Sequence, residues 1–282
     1  MEYSNQDSVN QPLYYRHHLN KSLKVTLNKT FFVNSPHPRV YPVFQKTGNE
    51  GVILNDLEQL HETLCNAVNQ YSKVFAVRID LHFPTKEYWP DSFIPGNEVI
   101  DSFKKYLNYK IQRDRIKAKS SGDYNSCTLR SFWVREVPSA TSRPHYHIIL
   151  LLNGSVYNRI GKSKKGFNKN TLWGKIVSAW IQANKILSPE HNEYLVHLPE
   201  NACFMLSRES VNHGHSLSIV EAQNYISENY EYNDFGILTR KKYNGKYLSQ
   251  SVDEFMFRGS YLCKAGTKEY NNNIHRVGCT RK

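Results

Sequence analysis

Residues 145–153 read His-Tyr-His-Ile-Ile-Leu-Leu-Leu-Asn. On a β-strand alternate side chains point to opposite faces, so His145 and His147 present two imidazoles on one side while Tyr146, Ile148, Leu150 and Leu152 turn to the other. Their Cα atoms stand about 7 Å apart on one rigid element. Just upstream, residues 129–137 form a second strand, and the short connector 138–144, with Ser139, Thr141 and Ser142, closes the two into a hairpin. Farther back, 74–83 reads as a strand with Phe75, Val77, Ile79, Leu81 and Phe83 on an apolar face and Ala76, Arg78, Asp80 and His82 on a polar one. Between them, 98–117 keeps Val99, Phe103, Leu107 and Ile111 at helical spacing, with a basic outer face. A helix over 170–184 buries Leu172, Ile176, Ala179, Trp180 and Ala183, and 194–198 adds a strand.

A leading helix to about residue 72, capped by Asp56, precedes this run. After that helix the elements come in the order β-α-β-β-α-β, an α+β class of the ferredoxin-like or RRM-like kind: an antiparallel sheet with helices on one face and the other face open for a site. Two tail helices, 221–230 and 252–265, can close over that open face. Residues 1–54 have weak periodicity and read as an N-terminal extension outside the main fold, which takes up 55–282.

Composition removes several classes. Hydrophobic content of 39% and a mean hydropathy of −0.62 exclude a multi-span membrane protein. The first ten residues are polar and include Glu2 and Asp7, unlike a secretory signal, so the expected location is cytoplasmic. Five scattered cysteines without a Cys-x-x-Cys argue against a disulfide framework and a thiolate zinc site. The formal net charge is +12, alongside 19 Tyr, 13 Phe and 4 Trp. Cations neutralise phosphates and aromatic faces stack on unpaired bases, a pairing suited to single-stranded nucleic acid. A basic surface also serves solubility alone.

With 12 histidines in 282 residues, about half a His-x-His pair is expected by chance. A second pair, His213-Gly-His215, lies among polar residues and reads as a solvated loop. Context separates the two. Glu136 lies across the hairpin from His145 and His147, and two imidazoles with one carboxylate make a three-point site for a divalent cation able to polarise a phosphodiester oxygen. Asp80 and His82 border that site or contribute a ligand. The plainer alternative is a pair of surface histidines near a charge. Near the C-terminus, 258–268 reads Arg-Gly-Ser-Tyr-Leu-Cys-Lys-Ala-Gly-Thr-Lys. On a helix Tyr261 and Lys264 share a face, and the ammonium favours a phenolate at Tyr261, as a tyrosine nucleophile needs. Here the alternative is a half-buried helix tyrosine with a solvated lysine.

A two-histidine strand with a preceding carboxylate, and with Tyr-x-x-Lys downstream, resembles the HUH endonuclease superfamily of rolling-circle replication initiators. More narrowly, RIDLHFP at 78–84, WVRE at 133–136, HYHIILLLN at 145–153 and RGSYLCKAGTK at 258–268 resemble the YagK/YfjJ C-terminal family, the replication proteins of filamentous phages (inoviruses) and related prophages. The likeness covers roughly residues 70 to 280. It implies a nuclease domain over 55–282 in which His145, His147 and Glu136 hold Mg²⁺ or Mn²⁺ and Tyr261 attacks the scissile phosphate of single-stranded DNA. The products would be a 5′-phosphotyrosine and a free 3′-OH, with Lys264 lowering the phenol pKa or neutralising phosphate charge. Arg78, Arg135, Arg258 and Lys268 would contact the DNA, and host helicase and polymerase would be partners. Only one tyrosine occupies the Tyr-x-x-Lys position, unlike initiators with two. A transposase or relaxase of the superfamily would share this chemistry. An RRM-like module that binds single strands without cutting them is the alternative of a different class.

Overall fold

A computed structural model describes residues 14–16, 24–26, 28–33, 38–44, 51–84, 96–137, 144–162, 167–186, 192–232, 238–240, 248–266 and 275–280. Its strands and helices, in chain order, begin with β1 (Tyr14–Arg16), β2 (Lys24–Thr26), β3 (Thr30–Val33), β4 (Arg39–Pro42), β5 (Val52–Ile53), α1 (Leu54–Gln70), β6 (Lys73–His82) and α2 (Glu98–Ser120). They continue with β7 (Arg130–Glu136), β8 (His145–Asn153), α3 (Leu172–Ala183), β9 (Val196–His197), β10 (Cys203–Ser207), α4 (Arg208–His213) and α5 (Ile219–Asn229). The last are β11 (Tyr230–Tyr232), β12 (Leu238–Arg240), β13 (Leu248–Ser249), α6 (Val252–Ser260) and β14 (Val277–Cys279). The chain is thus α+β.

The main sheet runs β13-β10-β6-β8-β7-β14, with β9 also pairing with β6. All of its pairings are antiparallel except β13 with β10. Because β8 pairs antiparallel with both β6 and β7, those two run parallel with β8 inserted between them, and α2 makes the crossover. The register sets Asp80 opposite His147, His82 opposite His145, and Glu136 opposite His145. All five side chains therefore gather at one end of the sheet, on one face.

Both faces of the sheet are covered. On one, α2 and α3 pack against Phe75, Val77, Ile79, Tyr146, Ile148 and Leu150. On the other, α1 and α6 pack against Val74, Ala76, Val134, Ile149 and Leu151. Helices therefore close most of the expected open face, α6 among them as expected of the tail helix over 252–265, and the Asp80, His82, Glu136, His145 and His147 cluster sits at one end of it. β6 is correspondingly buried on both sides, with Val74 and Ala76 fully inaccessible, rather than apolar on one side alone.

Several boundaries differ from the sequence-based expectation. Asp56 does not cap α1: it is buried in the first turn and pairs with Arg276, Oδ2 to Nη1, at 2.5 Å. The strand expected at 194–198 is a 3₁₀ turn at Glu193–Leu195 and then the two-residue β9. Helix 252–265 stops at Ser260 and continues as a 3₁₀ turn, Tyr261–Cys263. Nor do all of residues 1–54 lie outside the fold, since Phe31, Tyr41, Val43 and Val52 belong to the same apolar cluster as α1 and α6. The cysteines among the described residues are free thiols, and no described helix is long and apolar enough to cross a membrane.

On α1, His61 sits against the Tyr41 ring with centroids 5.5 Å apart, and its Nε2 is 3.4 Å from the Tyr41 hydroxyl. Burial, reinforced by the Arg39 charge, pushes the His61 imidazole down from 6.5 to about 4. The unfolded chain therefore takes up this proton before the folded one does. Stability should decline as pH falls from about 6.5 to about 4, by about 1–3 kcal/mol in all. Urea midpoints across that window should drop less steeply for His61→Gln than for the natural chain.

Candidate metal and tyrosine site

β6, β7 and β8 each bring side chains to the same end of the sheet. His145 Nε2 and His147 Nε2 are 3.2 Å apart. Glu136 Oε2 lies 3.3 Å from His147 Nε2 and 3.9 Å from His145 Nε2. These are the one group of His, Cys, Asp or Glu among the described residues whose ligand atoms converge, all within 4.8 Å of one another. Ligands bonded at about 2.1 Å to one ion at right angles would be roughly 3 Å apart, so the triangle has the size a divalent cation fills. Three acceptor-type atoms on one point also repel one another unless a proton or a cation stands between them.

The next ring of contacts orients this triangle. His147 Nδ1–H donates to Asp80 Oδ1 at 2.5 Å, which turns Nε2 toward Glu136. A carboxylate behind a ligating imidazole fixes its tautomer and raises its basicity. Arg78 Nε is 3.5 Å from the same Asp80 oxygen, and His197 Nδ1 is 3.5 Å from Oδ2. Burial alone would raise the Asp80 carboxyl, but the His147 hydrogen bond and the Arg78 charge outweigh it and hold it well below the usual range. Burial likewise opposes protonation of His147, yet its hydrogen bonds to Asp80 and Glu136 raise its pKa. His145 is pushed down to about 4, by burial first and then by the His147 charge, so its imidazole is neutral at neutral pH. His82 stacks on His145 at 5.4 Å, and burial lowers its pKa too. Asp80 and His82 thus border the triangle.

Tyr261 and Lys264 reach the same place from the end of α6. They meet across a 3₁₀ turn, in which positions three apart eclipse, rather than along an α-helix. Lys264 Nζ donates to Tyr261 Oη at 2.9 Å and lies 3.3 Å from Glu136 Oε2. One ammonium therefore links the phenol to the carboxylate of the triangle. The Tyr261 ring stands edge-on to His147 at 6.0 Å, with the Arg78 guanidinium over it at 4.8 Å. Gly259 lets α6 lie close against α1: a Cβ there would come within 2.7 Å of Leu60 Cδ2.

The N-terminal segment helps to seat the tyrosine, a role that no local pattern in residues 1–54 signals. The Phe44 ring lies 5.2 Å from that of Tyr261, and Phe44 N–H donates to Ser260 Oγ at 2.8 Å. Val52 forms a β-bridge with Lys264. His197 is a further member that the sequence-based site lacks, because an expected strand at 194–198 does not by itself say which side chain faces Asp80.

The proposed DNA contacts divide. Arg78 and Arg258 line one small cavity beside the tyrosine. Arg258 is held by Glu254, Nε to Oε1 at 3.5 Å, and by the Glu200 carbonyl, to which Nη1 donates at 3.2 Å. Arg135 does not stand with them. It is fully buried on the opposite face, where it interacts with Tyr146, because residue 135 follows the pleat away from Glu136. Lys268 lies outside the described residues. His213 and His215 are exposed, apart from this cluster.

Fold and site together define an α+β protein with a largely buried Glu-His-His triangle joined to a tyrosine through a lysine. The chain belongs to the YagK/YfjJ C-terminal domain family, whose model matches residues 41–228. That span includes Asp80, Glu136, His145 and His147 and ends before Tyr261. The chain is 33% identical over 171 residues to the uncharacterized protein YagK of Escherichia coli (strain K12), covering 58% of this chain and 80% of YagK. To the uncharacterized protein YfjJ of the same organism it is 26% identical over 231 residues, covering 79% of this chain and 92% of YfjJ. No solved structure matches it.

Proposed function

We propose that the chain is a metal-dependent endonuclease and strand transferase of the HUH type, which nicks single-stranded DNA to start rolling-circle replication of a phage or prophage. The observation that carries this reading is the Lys264 ammonium, within 2.9 Å of the Tyr261 oxygen and 3.3 Å of Glu136. A half-buried structural tyrosine has no need of a lysine shared with a His-His-Glu triangle. The strand order β10-β6-β8-β7, with two strands parallel and a third between them, also fits the ferredoxin-like arrangement of that superfamily.

In this reading Tyr261 Oη attacks the scissile phosphorus. A P–Oη bond forms, the bond to the 3′ oxygen breaks, the phenol proton passes to solvent, and the departing oxygen takes up a proton as a 3′-OH. The energy of the broken bond is kept in the 5′-phosphotyrosine, so reversal rejoins the strand. Lys264 stabilises negative charge on Oη, and Arg78 and Arg258 face the neighbouring phosphates. Mg²⁺ or Mn²⁺ held by His145, His147 and Glu136 would supply Lewis acidity toward a non-bridging phosphate oxygen. Asp80 keeps His147 turned to that point.

The test is incubation of the protein with a labelled single-stranded oligonucleotide library and Mn²⁺. The expected result is a protein–DNA adduct that survives denaturing gel electrophoresis and disappears with chelator. Salt-sensitive binding that chelator leaves unchanged, with intact DNA, would instead identify a non-catalytic single-strand-binding module.

A further inference from the structure

A second basic site lies away from the tyrosine. Between α2 and α3, on the sheet face opposite His145 and His147, an open groove of about 400 Å³ is lined by Lys110, Arg113 and Lys117 from α2 and by Lys169 and Lys175 from and beside α3. Asp114 is its one carboxylate, and it is engaged: Lys175 Nζ pairs with Oδ2 at 2.8 Å, and the Tyr157 hydroxyl donates to the same oxygen at 3.3 Å. Lys110, Arg113, Lys117 and Lys169 have no carboxylate partner among the described residues. Four cations thus share one concave surface without internal neutralisation.

We infer that this groove binds the phosphodiester backbone of duplex DNA. The choice of DNA as the polyanion rests on the nicking reading. Three features favour a duplex backbone over a single strand. The lining has no aromatic side chain, and the exposed Tyr109 beside it has the Arg113 guanidinium over its ring at 5.9 Å, so the groove offers phosphate contacts rather than free ring faces for base stacking. Lys110, Arg113 and Lys117 form one stripe along about 10 Å of helix, against one phosphate per roughly 3.4 Å of duplex axis on each strand. The groove also adjoins the far end of β8, past Asn153, where Tyr157 meets Asp114, so roughly 25 Å of strand separates it from His145. It therefore holds DNA at a distance from the nick. Burial, with Arg113 and Lys175 nearby, lowers the pKa of Lys110, a crowding of like charge that a bound phosphate relieves.

The probe is a fluorescent duplex of about 20 base pairs with arbitrary sequence, read by anisotropy over a salt series. Lys110→Gln/Arg113→Gln/Lys117→Gln should weaken binding about tenfold or more near 0.1 M salt and reduce the slope of log affinity against log salt by about 2 to 3. Lys117→Glu alone, at an exposed position, should act in the same direction if the triple variant folds poorly. Unchanged affinity and slope in the groove variants, or no duplex binding by the natural chain, would overturn the inference. The nicking reading fails separately, if the natural chain forms no adduct with single-stranded DNA while the groove variants still lose the duplex.

Discussion

Tyr261→Phe should abolish the covalent DNA adduct, a loss on the order of 10⁴-fold or more, while leaving the protein folded. The variant keeps the ring that packs between Phe44 and the Arg78 guanidinium and removes only Oη. What the fold loses is the 2.9 Å hydrogen bond from Lys264, about 0.5–1.5 kcal/mol of stability. Lys264 retains Glu136 at 3.3 Å, so its charge is not left isolated. Adduct yield and thermal midpoint therefore move very differently if Tyr261 is the nucleophile. A merely structural tyrosine would shift the midpoint and leave the adduct in place.

His147→Ala should weaken Mn²⁺ binding by about 10²-fold or more, measured by calorimetric titration of the metal alone. The substitution removes one of three converging ligand atoms and separates the triangle from Asp80. Asp80→Asn should cost less, about 10- to 100-fold, because an amide oxygen can still orient the imidazole but does not raise its basicity as a carboxylate does. His82→Ala should have the smallest effect, since His82 stacks on His145 and contributes no atom to the triangle. Equal Mn²⁺ affinity in the natural chain and His147→Ala would place the metal elsewhere or nowhere.

The period-2 pattern of β6, β7 and β8 makes the hairpin and its histidine face legible from residues alone. The same pattern also carries a clue against an open face. Ile149 and Leu151 share the His147 face, which calls for helices over it, and α1 and α6 are what cover it. β10 is harder to read although Phe204 and Leu206 alternate with Cys203, Met205 and Ser207, because a five-residue run just after a turn resembles a loop. β14 has no side-chain signal. It pairs with β7 by its backbone, and Gly278 lies so close to the Trp133 indole that a Cβ would fall 2.6 Å from it.

At the site, residue types are easier to read than their supports. Paired histidines, a hairpin glutamate and Tyr-x-x-Lys are visible as strings, whereas Phe44, Val52 and His197 reach the cluster only through long-range packing. Arg135 shows the opposite error: adjacent to Glu136 in sequence, it belongs to the other face by the alternation that makes the histidines legible.

The most direct measurement is peptide mapping of the natural protein by mass spectrometry after incubation with single-stranded DNA and Mn²⁺. The predicted result is a nucleotide joined through its 5′ phosphate to Tyr261, with a matching 3′-OH fragment. An unmodified Tyr261 peptide, whether the DNA stays intact or is cut by attachment to another residue, would contradict it.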